Sequence, residues 1–193
     1  MVKINLPASE EDIRKLKAGD EVSITGIMIT ARDAAHAYLV DTEGPEVKEI
    51  LKDGMIYHCG PVVKKNEDGT WSFVAAGPTT SIRDEPYEPT VIEKYQVRGV
   101  IGKGGMGKGT LDACAKHGCV YLSALGGLAT TLARSVVEVT DVHKLDEFGA
   151  PEAMWVLRVE DFPAIVTMDS HGRSLHDEVL EQSRVNYERL IGK

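Results

Sequence analysis

Thr79, Thr80, Ser81 and Arg83 follow the apolar run Trp71-Ser72-Phe73-Val74-Ala75-Ala76, from which Gly77-Pro78 separates them. Short hydroxyls beside a forked guanidinium suit a carboxylate or phosphate oxygen better than a hydrophobic core. The pattern recurs downstream, where Val97 to Ile101 leads into Gly102-Lys103-Gly104-Gly105-Met106-Gly107. A further cation, Arg32, stands at the start of a helix-like segment, where the helix dipole disfavours positive charge. That placement hints at a bound anion, and pairing with Asp33 explains it as well. Arg32, Thr79, Arg83 and Lys103 are therefore three cations and a hydroxyl, each just beyond a predicted strand, where loops often carry a site. Two arginines can take carboxylates bidentately while a lysine acts as a point charge, so the set suits a small dicarboxylate. Surface cations in solvated turns would give the same spacing. The set is not a whole active site, because expelling hydroxide needs a Lewis acid or a strong acid that these residues do not supply.

Other motifs point to other chemistry. Gly102 to Gly107 matches G-x-G-x-x-G between a strand and a helix, the context of a dinucleotide site. The acidic residue expected about 20 positions on is missing, since that region reads Tyr121-Leu122-Ser123-Ala124. A Walker-type reading of Gly102 to Lys108 fails at Gly109, where a hydroxyl should hold magnesium. Cys59, Cys114 and Cys119, with His58 and His117, suggest a metal, but their spacing fits buried structural cysteines better. Asp169 and His171 could form a dyad or simply shape a turn. No G-x-S-x-G elbow is present.

The elements that must position these residues read as α/β. Ser9 is a candidate N-cap for a short helix ending at Gly19, and Glu21 to Thr30 is a strand. Val47 to Leu51 reads as a short helix and Met55 to Val63 as extended chain. Lys64 to Gly69 reads as a hairpin turn into the Trp71 strand. Helices are expected from Pro89 to Tyr95 and Thr110 to His117, with a buried strand over Cys119 to Leu122. Ser135 to Thr140, Met154 to Val159 and Ala164 to Met168 read as three more strands. The segment from Ser174 to Ile191 reads as a helix with apolar positions at Leu175, Val179, Leu180, Val185 and Leu190. Without repeats or a linker, residues 1–193 are expected to form a single domain. The net charge of −8 argues against a general nucleic-acid binder. The start lacks a signal-peptide pattern, no run approaches a membrane span, and three cysteines are no disulfide framework, so a cytoplasmic protein is expected.

The chain resembles the β-subunit, or C-terminal domain, of class I fumarate hydratases and L-tartrate dehydratases. The matching stretches are Thr30-Ala31-Arg32-Asp33-Ala34-Ala35-His36, Tyr57-His58-Cys59-Gly60-Pro61, Gly77-Pro78-Thr79-Thr80-Ser81-Ile82-Arg83, Ile101-Gly102-Lys103-Gly104-Gly105-Met106 and Ala124-Leu125-Gly126-Gly127. Asp84 departs from the family pattern, which more often has an apolar residue after the arginine. The resemblance implies a swivelling β/β/α domain and a partner α-subunit holding a [4Fe–4S] cluster, with no cofactor bound by this chain's own cysteines. It implies that Arg32, Arg83 and Lys103 hold a dicarboxylate substrate and that Thr79 takes the C3 proton. The expected function is that of the β-subunit of a hetero-oligomeric iron–sulfur hydro-lyase interconverting malate and fumarate, active only with the α-subunit. Tartrate dehydration, a non-catalytic dicarboxylate-binding module and a nucleotide-binding protein are the alternatives.

Overall fold

The computed structural model describes residues 1–192. Strand β1 (Val2–Asn5), helix α1 (Glu10–Arg14) and strand β2 (Glu21–Thr30) open the chain. Ser9 caps α1 by accepting from the Asp12 amide, and three acids fill the first turn, where the helix dipole favours them. Helices α2 (Asp33–Asp41) and α3 (Lys48–Leu51) lead to strand β3 (Met55–Tyr57). The antiparallel hairpin β4 (Val62–Lys65) and β5 (Trp71–Ala75) turns through Gly69 at φ +87°, as its sequence predicts. A 3-10 turn (Ser81–Asp84), α4 (Glu88–Tyr95), β6 (Gly99–Gly102), α5 (Lys108–His117) and β7 (Val120–Ser123) follow. The last elements are α6 (Ala129–Ala133), β8 (Val136–His143), α7 (Leu145–Phe148), β9 (Met154–Met168) and α8 (Leu175–Ile191).

The seven-stranded sheet runs β1-β2-β3-β6-β7-β9-β8, and an additional β2–β9 pairing closes it on itself. Closure depends on two long strands. On one edge of β2, Val22 to Thr25 pair with β1, and Ile29 and Thr30 with β3. Its other edge runs antiparallel along β9 from Ile165 to Val156. β9 in turn gives its first half to β8 and its last residues to β7. A ring of β2, β3, β6, β7 and β9 results, without free edges inside it.

Side-chain alternation then sorts the core into two. Met55, Tyr57, Ile101, Val120, Leu122, Trp155, Leu157 and Phe162 pack together on one face. Ile56, Val100, Tyr121 and Val156 point the other way, onto Ala35 and Leu39 of α2, Val91 and Ile92 of α4, and Cys114 of α5. The fold is thus mixed α/β, with a barrel-like sheet. Because Thr30, Tyr57 and Ile101 stand level across parallel β2, β3 and β6, the loops that follow these strands emerge along one rim. No helix among the described residues is long and apolar enough to cross a membrane.

One expectation is corrected. The strands expected at Met154 to Val159 and Ala164 to Met168 are one, because the chain bulges rather than breaks between them. Asp161 adopts φ +49°, its amide donates to Thr25 Oγ1 at 3.1 Å and its carboxylate accepts from Ser23 Oγ at 2.8 Å. Helix α8 forms as expected and is capped by Ser174, and none of its residues is buried. Its apolar positions therefore contribute nothing to the core. Phe162→Ala should cost about 3–5 kcal/mol in urea unfolding, whereas Leu190→Ala, 80% exposed, should change stability by less than about 0.5 kcal/mol.

Candidate active-site rim and the buried cluster beneath it

The loop after β5 is laid across the ends of β3 and β6 like a short extra strand. The Thr79 amide donates to the His58 carbonyl at 2.6 Å, the Lys103 amide to the Thr79 carbonyl at 3.2 Å, and the Ser81 amide to the Lys103 carbonyl at 3.0 Å. Thr79 is half-buried, while Lys103 and Arg83 are exposed. Gly102 is required here by close approach, since a Cβ would lie 1.8 Å from Ser81 Oγ. Arg32 precedes α2 in extended conformation and lies against Gly60, where a Cβ would come within 2.5 Å of its Nη1.

Both arginines already hold carboxylates of this chain. Arg32 Nη2 lies 3.3 Å from Glu152 Oε1, and the other Glu152 oxygen accepts from the Ala34 amide in the first turn of α2 at 3.1 Å. Glu152 is thus the anion that the position of Arg32 called for. Asp33 pairs with Arg83 rather than with Arg32. Since Asp33 adjoins Arg32 in the chain, this pair brings Arg32 and Arg83 to neighbouring places on the rim. Arg32 Nε and Asp33 Oδ1 are buried without a hydrogen-bond partner.

Beneath the rim lies a charged cluster that sequence reasoning missed. His36, His58, Ser81, Asp84 and Glu88 are all fully buried. Glu88 Oε2 is 3.0 Å from His36 Nε2 and 2.9 Å from His58 Nε2. His36 Nδ1 lies 3.0 Å from the Arg32 carbonyl, and His58 Nδ1 lies 2.9 Å from Ser81 Oγ. The Tyr121 hydroxyl donates to Ser81 Oγ at 2.9 Å, leaving the serine proton for His58. Burial opposes charge on His36, but the Glu88 carboxylate outweighs it and raises the imidazole to about 9. Burial likewise opposes the Glu88 charge, and the two histidines overcome it, lowering the carboxyl to about 2. Asp84 is raised chiefly by burial, against the pull of both imidazoles.

The available signal was periodicity. Glu88 falls at the spacing of Val91, Ile92 and Tyr95, the buried face of α4, and His36 falls beside buried Ala35 and Leu39 on α2. A titratable residue on a core face needs a partner.

His36, His58 and Asp84 each offer one ligand atom, all within 4.8 Å of one another, which is the make-up of a metal site. The protons decide otherwise. His36 Nδ1 faces a carbonyl and its Nε2 a carboxylate, so both nitrogens carry hydrogen and the ring has no lone pair to give. The cysteines are equally unsuited to holding a metal together. Cys59 lies in one core, Cys114 and Cys119 lie in the other, all are buried, and burial pushes the Cys59 thiol up to about 12.

The remaining motifs have structural roles. The Glu85 carboxylate accepts from the Gly107 amide at 2.7 Å and from the Thr110 amide at 3.1 Å. It fills the helix start where a nucleotide phosphate would sit. Asp169 accepts from the Ala18, His171 and Arg173 amides, and His171 Nε2 turns to the Arg14 carbonyl, so the two form a turn rather than a dyad.

The His36–Glu88 pair sets a pH window for stability. Glu88, lowered from 4.5 to about 2, contributes fully above 4.5 and loses its contribution as pH falls through about 2. His36, raised from 6.5 to about 9, contributes fully below 6.5 and loses its contribution as pH rises through about 9. Both shifts describe one ion pair, whose contribution is therefore greatest between these ordinary values. Urea midpoints of the wild type should fall from about pH 6.5 to about pH 9, and a His36→Phe/Glu88→Leu double variant should lack that slope.

A family model described as "Fumarase C-terminus" matches residues 1–179. A Geobacillus stearothermophilus protein named "Putative fumarate hydratase class I" is 52% identical over 183 residues, covering 95% of this chain and 35% of that protein. The chain thus spans about a third of that relative's length. A Methanocaldococcus jannaschii protein named "Putative L(+)-tartrate dehydratase subunit beta" is 42% identical over 187 residues, covering 95% of each. The L(+)-tartrate dehydratase subunit beta of Escherichia coli is 39% identical over 173 residues, covering 89% of this chain and 85% of that one. The chain belongs to the Fumarase C-terminus family.

Proposed function

We propose that the chain is the β-type part of a hydro-lyase that reversibly dehydrates (S)-malate to fumarate, its substrate site completed by an α-type part. The carrying observation is the rim, where Arg32, Thr79, Arg83 and Lys103 stand on adjoining loops beyond parallel strands. The names of the relatives support the reaction class, and "subunit beta" in two of them supports a separate α-subunit. In this reading the fold is a swivelling β/β/α domain, the protein is cytoplasmic, and the ligand is a small dicarboxylate.

Arg32 and Arg83 hold the two carboxylates by exchanging Glu152 and Asp33 for the ligand's oxygens. The unpartnered Arg32 Nε is a donor ready for that exchange. Lys103 places its charge beside the substrate hydroxyl region. Thr79 accepts the C3 proton, and the C3–H electron pair becomes the double bond as hydroxide leaves C2. Threonine serves as a base only where cations stabilise its alkoxide, which Lys103 and the arginines supply. A [4Fe–4S] cluster held by the α-type part would supply the Lewis acid for the C2 hydroxyl. The cysteines of this chain are buried in two separate cores and fit no such role.

The test is malate dehydration by the chain alone and with a co-expressed α-type partner, after anaerobic iron–sulfur reconstitution. Activity should appear only in the complex. Thr79→Ala should lower kcat roughly 10²–10⁴-fold, and Arg83→Ala should raise KM by about 10–100-fold. Full activity from the isolated, iron-free chain would sink the reading. Turnover of tartrate but not malate, which the names of two relatives make the second reading, would keep the chemistry and change the substrate. Tight dicarboxylate binding without turnover would favour a binding module.

A further inference from the structure

We propose that Glu88 is a positioning residue for the rim, joining the Arg32 loop to the Thr79–Lys103 ladder through His36 and His58. The inference rests on reading those loops as a dicarboxylate site.

Two routes leave a single oxygen, Glu88 Oε2. One runs through His36 Nε2 and Nδ1 to the Arg32 carbonyl. The other runs through His58 Nε2 and then divides. The His58 carbonyl takes the Thr79 amide, and His58 Nδ1 meets Ser81 Oγ, whose residue binds the Lys103 carbonyl through its amide. Arg83 lies within the same 3-10 turn as Ser81. All four rim residues therefore depend on the one carboxylate.

Packing alone does not call for such a device. Buried ion pairs are often matched or bettered in stability by apolar side chains of similar volume. An apolar residue at position 88 would still hold α4 against the sheet. It would leave the two imidazoles without the acceptor that fixes their ring orientation, and with them the Arg32 carbonyl. What the network adds over packing is the relative placement of two loops.

The proton on His36 is part of the device, since a neutral ring has one N–H and cannot serve both Glu88 and the Arg32 carbonyl. His36 is faced by Glu88 from α4, by Asp84 from the 3-10 turn, by His58 from the end of β3 and by the Arg32 carbonyl. Burial raises the Cys119 thiol and the Glu88 charge adds to it, while Asp33 adds to the rise that burial gives Asp84. Glu88→Gln keeps the shape and an acceptor oxygen but removes the counter-charge, so His36 should lose its second proton at lower pH.

Two measurements test this. In ¹⁵N-labelled chain, the wild type should keep both His36 N–H groups from about pH 6 to about pH 8. Glu88→Gln should lose one, with the Thr79, Ser81 and Lys103 amides shifting at the same midpoint and those of α8 unmoved. Unmoved rim amides in a variant that has lost the His36 proton would overturn the proposal. Should Glu88→Gln not fold, the wild type carries the test: titration of His36 near pH 9 must move the same three amides, and failure to co-titrate overturns it. In the reconstituted complex, Glu88→Gln should raise malate KM and lower kcat, each roughly tenfold, towards alkaline pH. A KM and kcat that keep the wild-type pH dependence would overturn the positioning role. A wild-type complex inactive on malate and tartrate would refute the functional reading, while the resonances still decide on Glu88.

Discussion

One carboxylate oxygen shared by two imidazoles is the constraint on which the rim depends. Glu88, His36, His58 and Asp84 have no exposed surface, so each charge must be answered by another within the cluster. The answer is geometrically specific, because hydrogen bonds fix ring orientation where apolar contacts do not. α4 supplies the acceptor, α2 and the end of β3 supply the rings, and the backbone just outside each ring carries a residue of the rim. Removing a single partner strands a buried charge, which costs more than the intact network contributes.

The closed sheet gives this network something rigid to stand on. β2 and β9 each hold two neighbours on one edge, so the ends of β3 and β6 cannot slide independently of β2. Close contacts then set the loops: Arg32 crosses Gly60, and Ser81 Oγ sits where a Gly102 Cβ would be. The intrachain pairs Arg32–Glu152 and Arg83–Asp33 keep two guanidiniums extended and mutually tolerable when no dianion is present. In the proposed reading a dicarboxylate replaces existing partners rather than ordering free side chains, which lowers the entropic cost of binding.

Much of the fold was legible because it rests on local signals. The Ser9 cap, the Gly69 turn, the Trp71 strand and the helices around Val91 and Ala113 follow from capping, turn chemistry and periodicity. The rim cations were legible because glycine and hydroxyl clusters mark strand exits. Sheet closure was not, because the β2–β9 pairing joins segments more than a hundred residues apart, and Asp161 looks like an ordinary break until Ser23 and Thr25 are placed beside it. α8 was legible from its apolar spacing, although none of its residues is buried. Glu88 was written into the core face of α4, but its meaning needed His36 and His58 to be brought within reach.

The rim is well supplied for holding anions and poorly supplied for releasing hydroxide. A departing hydroxide needs an acid that still holds its proton near neutrality and delivers it to the leaving oxygen. Asp84, though raised, is sealed beneath the loops with the imidazoles. The Tyr121 phenol is pushed up to about 12, chiefly by burial, and its proton is committed to Ser81. His36 carries a proton, but both of its nitrogens are engaged below the surface. Lys103 and Arg83 are exposed cations suited to charge stabilisation. In the proposed reaction these residues bind the dicarboxylate and, through Thr79, take one proton, and the α-type part supplies the group that draws hydroxide away.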